Sequence, residues 1–446
     1  MVTEEMNTSK AIMKPTKIRY RMLFLLFVNV VVNYMDRSNL AVAASDIGSE
    51  LNFSPVELGL IFSAFSWTYL LFQVPGGILV KRFSPRVLYA ASLIAWSFAT
   101  IMQGFAKGFA SFFGLRMATG AFEAPAFPIN NRVVSAWFPD SERASAIAVY
   151  TSGQFLGLAF LMPILSKIQS HVGWKGLFVV TGLIGVFWGF IWYFFYRDPL
   201  KHPKANKAEL LHIEHGGGLL NRTAEKPAHP KKKFDWTDLK EVLSYRKLWG
   251  IYIGQFAVNA TLWFFLTWFP KYLVDYRGLD FIESGYWASI PYLAAFLGVL
   301  SSGFLSDYLI KKGVSAAKAR KRPIIIGLLI SVFIVGANYV EAPVWVIFFM
   351  SLSFFGVGFA SITWIFVSTL APKHLIDITG GVFNFIGQSS GIIVPIAIGF
   401  LASGGSFTPA LIFIAALGLL GACSYLFLVG NVERITSRHD LEPLNN

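Results

Sequence analysis

Arg116 and Glu123 lie seven residues apart in GLRMATGAFEAPAFPINNR (114–132), a stretch with apolar sequence on both sides. Seven residues are two helical turns, so guanidinium and carboxylate share one face, about 10 Å apart along the axis. Asp36 and Arg37 interrupt a second apolar run, and Arg132 follows Glu123. An ionisable side chain at mid-bilayer costs at least ~2.5–3.5 kcal/mol. Five in one half of a chain therefore make either an ion-pair scaffold or a transport site. The chemistry on offer is proton exchange on two carboxylates and capture of an anion by arginine. Three arginines against two carboxylates leave a net positive cluster, and arginine's planar fork grips a carboxylate with two parallel bonds. On this reading Arg37 holds a carboxylate substrate and Arg116 pairs with Asp36. Glu123 is the proton switch, with Asp36 a possible coupled partner. Arg132, near the end of its run, reads as a gate or a snorkelling residue.

The other half of the chain offers neutral groups in its apolar runs: Gln255, Asn259, Ser361, Thr363, Trp364, Asn384 and Gln388. Amides and hydroxyls suit the reading of substrate hydroxyls. Trp364 either packs on a sugar's C–H face or fills the bundle. Gly120 should admit a close helix neighbour, and Pro125 and Pro128 should distort the span after Glu123.

These residues need spans to hold them. The chain has 446 residues, 55% hydrophobic and 14% charged, with mean hydropathy +0.56 and net charge +13. That balance describes a polytopic all-α membrane protein. The basic residues fall between apolar runs, so nucleic acid is not a partner. Cys423 is the only cysteine, which excludes an intramolecular disulfide and a cysteine-rich metal site. No metal, cofactor or nucleophile–base pair is expected, hence no enzyme. A signal peptide is not expected either. Twelve runs can cross about 30 Å of hydrocarbon: 20–44, 57–80, 87–106, 109–137, 144–169, 174–196, 248–274, 284–310, 323–340, 343–370, 377–403 and 407–430. Thirty basic residues fall on one side against five on the other, which puts both termini in the cytoplasm. The division is a tail (1–19), a six-helix bundle (20–196), a cytoplasmic linker (197–246), a second bundle (247–430) and a tail (431–446). The linker holds a candidate short helix at 206–215 and a lysine run, Lys231–Lys233. Gly77-Ile-Leu-Val-Lys81 and Gly303-Phe-Leu-Ser-Asp307 form a weak repeat, as do the Gly153/Gly157 and Gly387/Gly391 pairs. Two similar halves suggest a rocker-switch transporter.

The two loop motifs and Leu115-Arg116-x-x-x-Gly120 resemble the major facilitator superfamily, which implies twelve helices in two pseudo-symmetric six-helix bundles. Asp307 keeps that family's loop aspartate and reads as a latch; Lys81 replaces it in the first half, and the resting conformation stays open. NYMDRSNLAVA (33–43), FSAFSWTYLLFQVPGG (62–77), FEAPAFPINNR (122–132), YTSGQFLGLAFL (150–161) and FNFIGQSSGI (383–392) are similar to the anion:cation symporters. Within them the match is to bacterial D-galactonate:proton symporters. This resemblance implies proton-coupled import of a sugar acid across a bacterial inner membrane by a monomer. It assigns proton coupling to Asp36, Arg116 and Glu123. It puts Arg37, Tyr34, Tyr69, Gln154, Ser361, Thr363, Trp364 and Asn384 at the substrate. Glucarate, galactarate or hexuronate symport, sodium- or potential-driven uptake, and a non-transporting sensor are the alternatives.

Overall fold

The computed structural model describes residues 14–220 and 236–436, and every regular element among them is helical. The first half holds α1 (Ile18–Glu50), α2 (Pro55–Arg82), α3 (Pro85–Gln103), α4 (Phe109–Glu123), α5 (Ala126–Trp137) and α6 (Asp140–Phe195). Two short helices follow, α7 (Lys207–His215) and α8 (Trp236–Ser244). The second half holds α9 (Arg246–Thr267), α10 (Phe269–Lys271), α11 (Phe281–Lys311), α12 (Ala316–Ser331), α13 (Pro343–Phe359), α14 (Ile365–Leu370), α15 (Ile376–Ala402) and α16 (Thr408–Cys423). Among the described residues nine helical runs are long and apolar enough to cross a membrane. The lysine run 231–233 lies outside the described residues.

Local chemistry sets the boundaries. Ser54 and Glu57 form a reciprocal capping box ahead of α2, and Pro55 supplies the preset φ of a first helical residue. Asp280 caps α11 by accepting from Ile282 N and Glu283 N at 2.9 and 3.2 Å. Pro125, which has no N–H for the ladder, separates α4 from α5, so the run 109–137 is two helices. α6 is broken at Gly173, whose φ is 69°, into two helices that turn back on each other. Its first half runs along α1 from Gly153 beside Phe27 to Gln169 beside Asp46. Its second half returns, from Trp174 on Glu50 to Trp188 on Asn29. Asp140–Phe195 thus holds two antiparallel helices, the runs expected at 144–169 and 174–196.

Close backbone contacts relate the two halves. A Cβ on Gly120 of α4 would collide with the Phe65 carbonyl and Thr68 hydroxyl of α2; one on Gly358 of α13 would collide with the Ala295 carbonyl of α11. Gly153 and Gly157 lie against Phe27 and Val31 of α1, while Gly387 and Gly391 lie against Gln255 and Trp263 of α9. In lipid, where helix association rests on packing, such small-residue seams let backbones meet. The Gly153/Gly157 and Gly387/Gly391 echo in the sequence is therefore a repeat of helix contacts.

The halves meet where α2 packs on α15 and α6 on α11. Gly59 of α2 lies on the Pro395 backbone of α15, and Gly399 on the Pro55 carbonyl. Gly285 of α11 lies on Ser166, and Phe62 packs edge-on against Trp268 at 5.3 Å. Toward the end that carries residues 14 and 436, Gly77, Gly303 and Gly381 face open space. Among the described residues Asp307, the expected latch, makes no ion pair.

Candidate functional site

The site forms where α1, α2 and α4 meet at mid-membrane. Arg37 on α1 points to Glu123, the last residue of α4. Its Nε and Nη2 lie 2.8 and 2.5 Å from Glu123 Oε1. Both side chains are buried, Glu123 completely. The guanidinium carbon sits 4.7 Å from the centre of the Phe65 ring, 4.9 Å from Tyr34 and 5.0 Å from Tyr69. Three aromatic faces thus hold the cation in a dry slot. Asn33, one turn before Arg37, faces the same carboxylate.

This corrects the expected pairing. Arg37 is not free for an anion; it is held by Glu123. Arg116 does not pair with the Asp36 carboxylate. Its Nη1 donates to the Asp36 backbone carbonyl at 3.3 Å. The Asp36 carboxylate points the other way, accepting from Trp96 Nε1 at 2.9 Å and lying 3.5 Å from Asn39 Nδ2. Asn39 in turn donates to Thr181 of α6 at 2.7 Å. Adjacent helical residues are about 100° apart, so Asp36 serves the α1–α3–α6 junction while Arg37 serves the α1–α2–α4 one. Arg132, expected as a gate or a snorkelling residue, is half-buried near the end of α2. Its guanidinium donates to the Val80 and Phe83 carbonyls, the latter at 2.9 Å, and ties α5 to the C-terminal end of α2.

From Arg37 a polar chain leads to the second half. Tyr69 stacks on Phe65 and lies beside Gln73, one turn along α2. Gln73 Oε1 accepts from Asn384 Nδ2 of α15 at 2.7 Å, a side-chain bridge between the halves. In the second half the helix breaks between α13 and α14, where a 3-10 turn spans Ser361–Trp364. Such breaks occur where a span lines a cavity. Trp364 is 49% exposed with its ring edge-on to Phe383. Thr363, expected on the cavity wall, is buried and donates to Gln255 Oε1 at 2.5 Å; Gln255 then reaches Asn259 at 3.3 Å. That network braces α9 against the break. Ser361, Gln154 and Gln388 are half-buried. Gln73, Asn33, Trp96 and Thr181 were missed from the sequence, since lone amides, hydroxyls and tryptophans in spans carry no charge signal.

The Major Facilitator Superfamily profile matches residues 26–395. The chain belongs to this superfamily. It is 51% identical over 422 residues to the D-galactonate transporter of Escherichia coli O6:H1, covering 95% of this chain and 98% of that protein. It is 39% identical to a probable galactarate/D-glucarate transporter of Escherichia coli K12, with 98% of each covered. Among solved structures, a bacterial homologue of the lysosomal transporter Spinster, crystallised inward-facing and occupied, has a TM-score of 0.68 at 18% identity, with 92% of this chain and 94% of that one covered. A nucleoside transporter structure also scores 0.68, at 13% identity. The likeness to both structures shows the fold. As a major facilitator the protein is a multi-pass membrane transporter, not an enzyme.

Proposed function

We propose that this transporter imports a sugar acid of the D-galactonate kind with protons, by alternating access. The observation that carries the reading is the buried Arg37–Glu123 pair, linked through Tyr69 to the Gln73–Asn384 bridge between the halves. While Glu123 is ionised it occupies Arg37. Once protonated it releases the guanidinium, and the same fork takes the substrate carboxylate. Proton and anion then load together, which is symport. Tyr34, Tyr69 and Gln154 would line the first-half wall; Ser361, Trp364 and Asn384 would meet hydroxyls, with Asn384 exchanging Gln73 for substrate. Thr363 would act through Gln255. Asp36 and Arg116 would form the second titrating unit, away from the cavity.

The relatives named for D-galactonate and for galactarate/D-glucarate support an acidic sugar. The excess of basic residues on the open side favours a cytoplasm-facing cavity and both termini inside a bacterial inner membrane. Twelve crossings follow if α4 with α5, α9 with α10 and α13 with α14 each count as one, α6 counts as two and the short α7 and α8 as none, dividing the protomer into bundles 20–196 and 247–430 joined by a linker.

The test is a panel of labelled aldonates, aldarates and hexuronates in proteoliposomes, without sodium, with and without an inward proton gradient. Gradient-dependent accumulation of D-galactonate, with proton flux in proportion, is expected. Full-rate uptake without proton movement refutes symport. Preference for an aldarate or hexuronate refutes the substrate assignment alone.

A further inference from the structure

A cavity of about 830 Å³ lies between the first turns of α1 and the last turns of α6. Its floor is apolar: Phe24 and Leu25 from α1, Trp188, Ile191 and Phe194 from α6. Phe24 and Phe194 are more than half exposed, as acyl-chain contacts are in a span. Its rim is basic, formed by Arg21, Arg197 and Lys204 around His202.

That charge is uncompensated. Among the described residues Arg21 and Lys204 make no ion pair, and Arg197 donates only to the Tyr193 and Tyr196 carbonyls, at 3.0 and 2.7 Å. The nearby carboxylates are engaged elsewhere. Asp198 accepts from the Tyr196 hydroxyl, and Glu209 is buried on the first residues of α1. Burial first, then the charges of Arg197, Lys204 and Arg21, hold the His202 imidazole below its ordinary value, with Glu209 opposing. Three cations over a greasy slot match a molecule with an anionic head and apolar tails. A free phosphate would satisfy the rim and leave the floor unused.

We propose that this groove binds an anionic phospholipid, its phosphodiester on Arg21, Arg197 and Lys204 and an acyl chain across Phe24 and Phe194. The lipid staples α1 to the second half of α6. These are the two helices that enclose Asp36, whose carboxylate lies near Gly185 and shares Asn39 with Thr181.

The test is equilibrium binding of short-chain phosphatidylglycerol to the full-length transporter in neutral detergent, read by native mass spectrometry. Phosphatidylcholine and inorganic phosphate serve as competitors. Each charge removed should weaken binding about fivefold, so Arg21→Gln with Lys204→Gln should weaken it about 25-fold. Lys311→Gln with Lys312→Gln, in the other half, should leave it unchanged, and neither competitor should displace the lipid. Undiminished binding by the first double variant overturns the site. So does an equal loss in both doubles, which marks general surface attraction, or displacement by phosphate, which marks a small-anion site. If the double fails to fold, the single Arg21→Gln and Lys204→Gln variants carry the same comparison.

Discussion

Replacing Arg37 by lysine keeps the charge and removes the fork. In the structure Nε and Nη2 converge on one oxygen of Glu123, at 2.8 and 2.5 Å. A substrate carboxylate taking Glu123's place would meet the same two donors. A lysine ammonium at the end of its stem aims one N–H there. The loss is one charge-assisted hydrogen bond, ~1.5–3 kcal/mol, and 1.4 kcal/mol is tenfold in affinity. The three rings at 4.7–5.0 Å still favour a cation, so the slot itself survives. Arg37→Lys should therefore raise the Kd for D-galactonate about 10–150-fold with little change in melting temperature. Isothermal titration of the purified protein reads the Kd, and a thermal melt controls for folding. A folded variant whose Kd stays within about threefold of wild type removes Arg37 from the substrate and refutes the exchange of one carboxylate for another.

Gly120→Val and Gly358→Val each force a Cβ into a neighbouring backbone carbonyl. Each should destabilise by ~1–3 kcal/mol and lower the melting temperature; a normal melt for either contradicts the close-packed seam. Glu209→Ala removes the buried acceptor of Ile18 N and Arg19 N, at 3.0 and 3.1 Å. Arg19 keeps Glu142 at 2.9 Å, so the cost should sit near the lower end of the ~3–5 kcal/mol typical of a broken buried pair. The melt reads this too, and an unchanged midpoint means the first turn of α1 does not depend on α7.

The spans were legible because a membrane imposes length and hydropathy, and the charged cluster because charge there is costly. Asp36, Arg37, Arg116 and Glu123 do come together. Their pairing was not legible, since it depends on the rotation of α1, which no spacing within one helix reveals. Asp36 and Arg37 are neighbours in sequence and serve different junctions. The break at Ser361–Trp364 has no proline to announce it. The burial of Glu209 was hidden for another reason. NKAELLHIEH reads as a solvent-exposed helix, yet α1 begins after Lys17 with no capping side chain of its own. Its free N–H groups are satisfied by a carboxylate almost two hundred residues away. Such long-range caps leave no local pattern.

The central claim is that Glu123 must take a proton before Arg37 can take the substrate. Glu123→Gln tests it most directly, because the amide has the size and neutrality of the protonated acid and cannot discharge. Counterflow and gradient-driven uptake are measured side by side in the same proteoliposomes. The account predicts that the variant binds and exchanges labelled for unlabelled D-galactonate but does not accumulate it. Concentrative uptake at the wild-type level would contradict the account and pass the coupling role to Asp36.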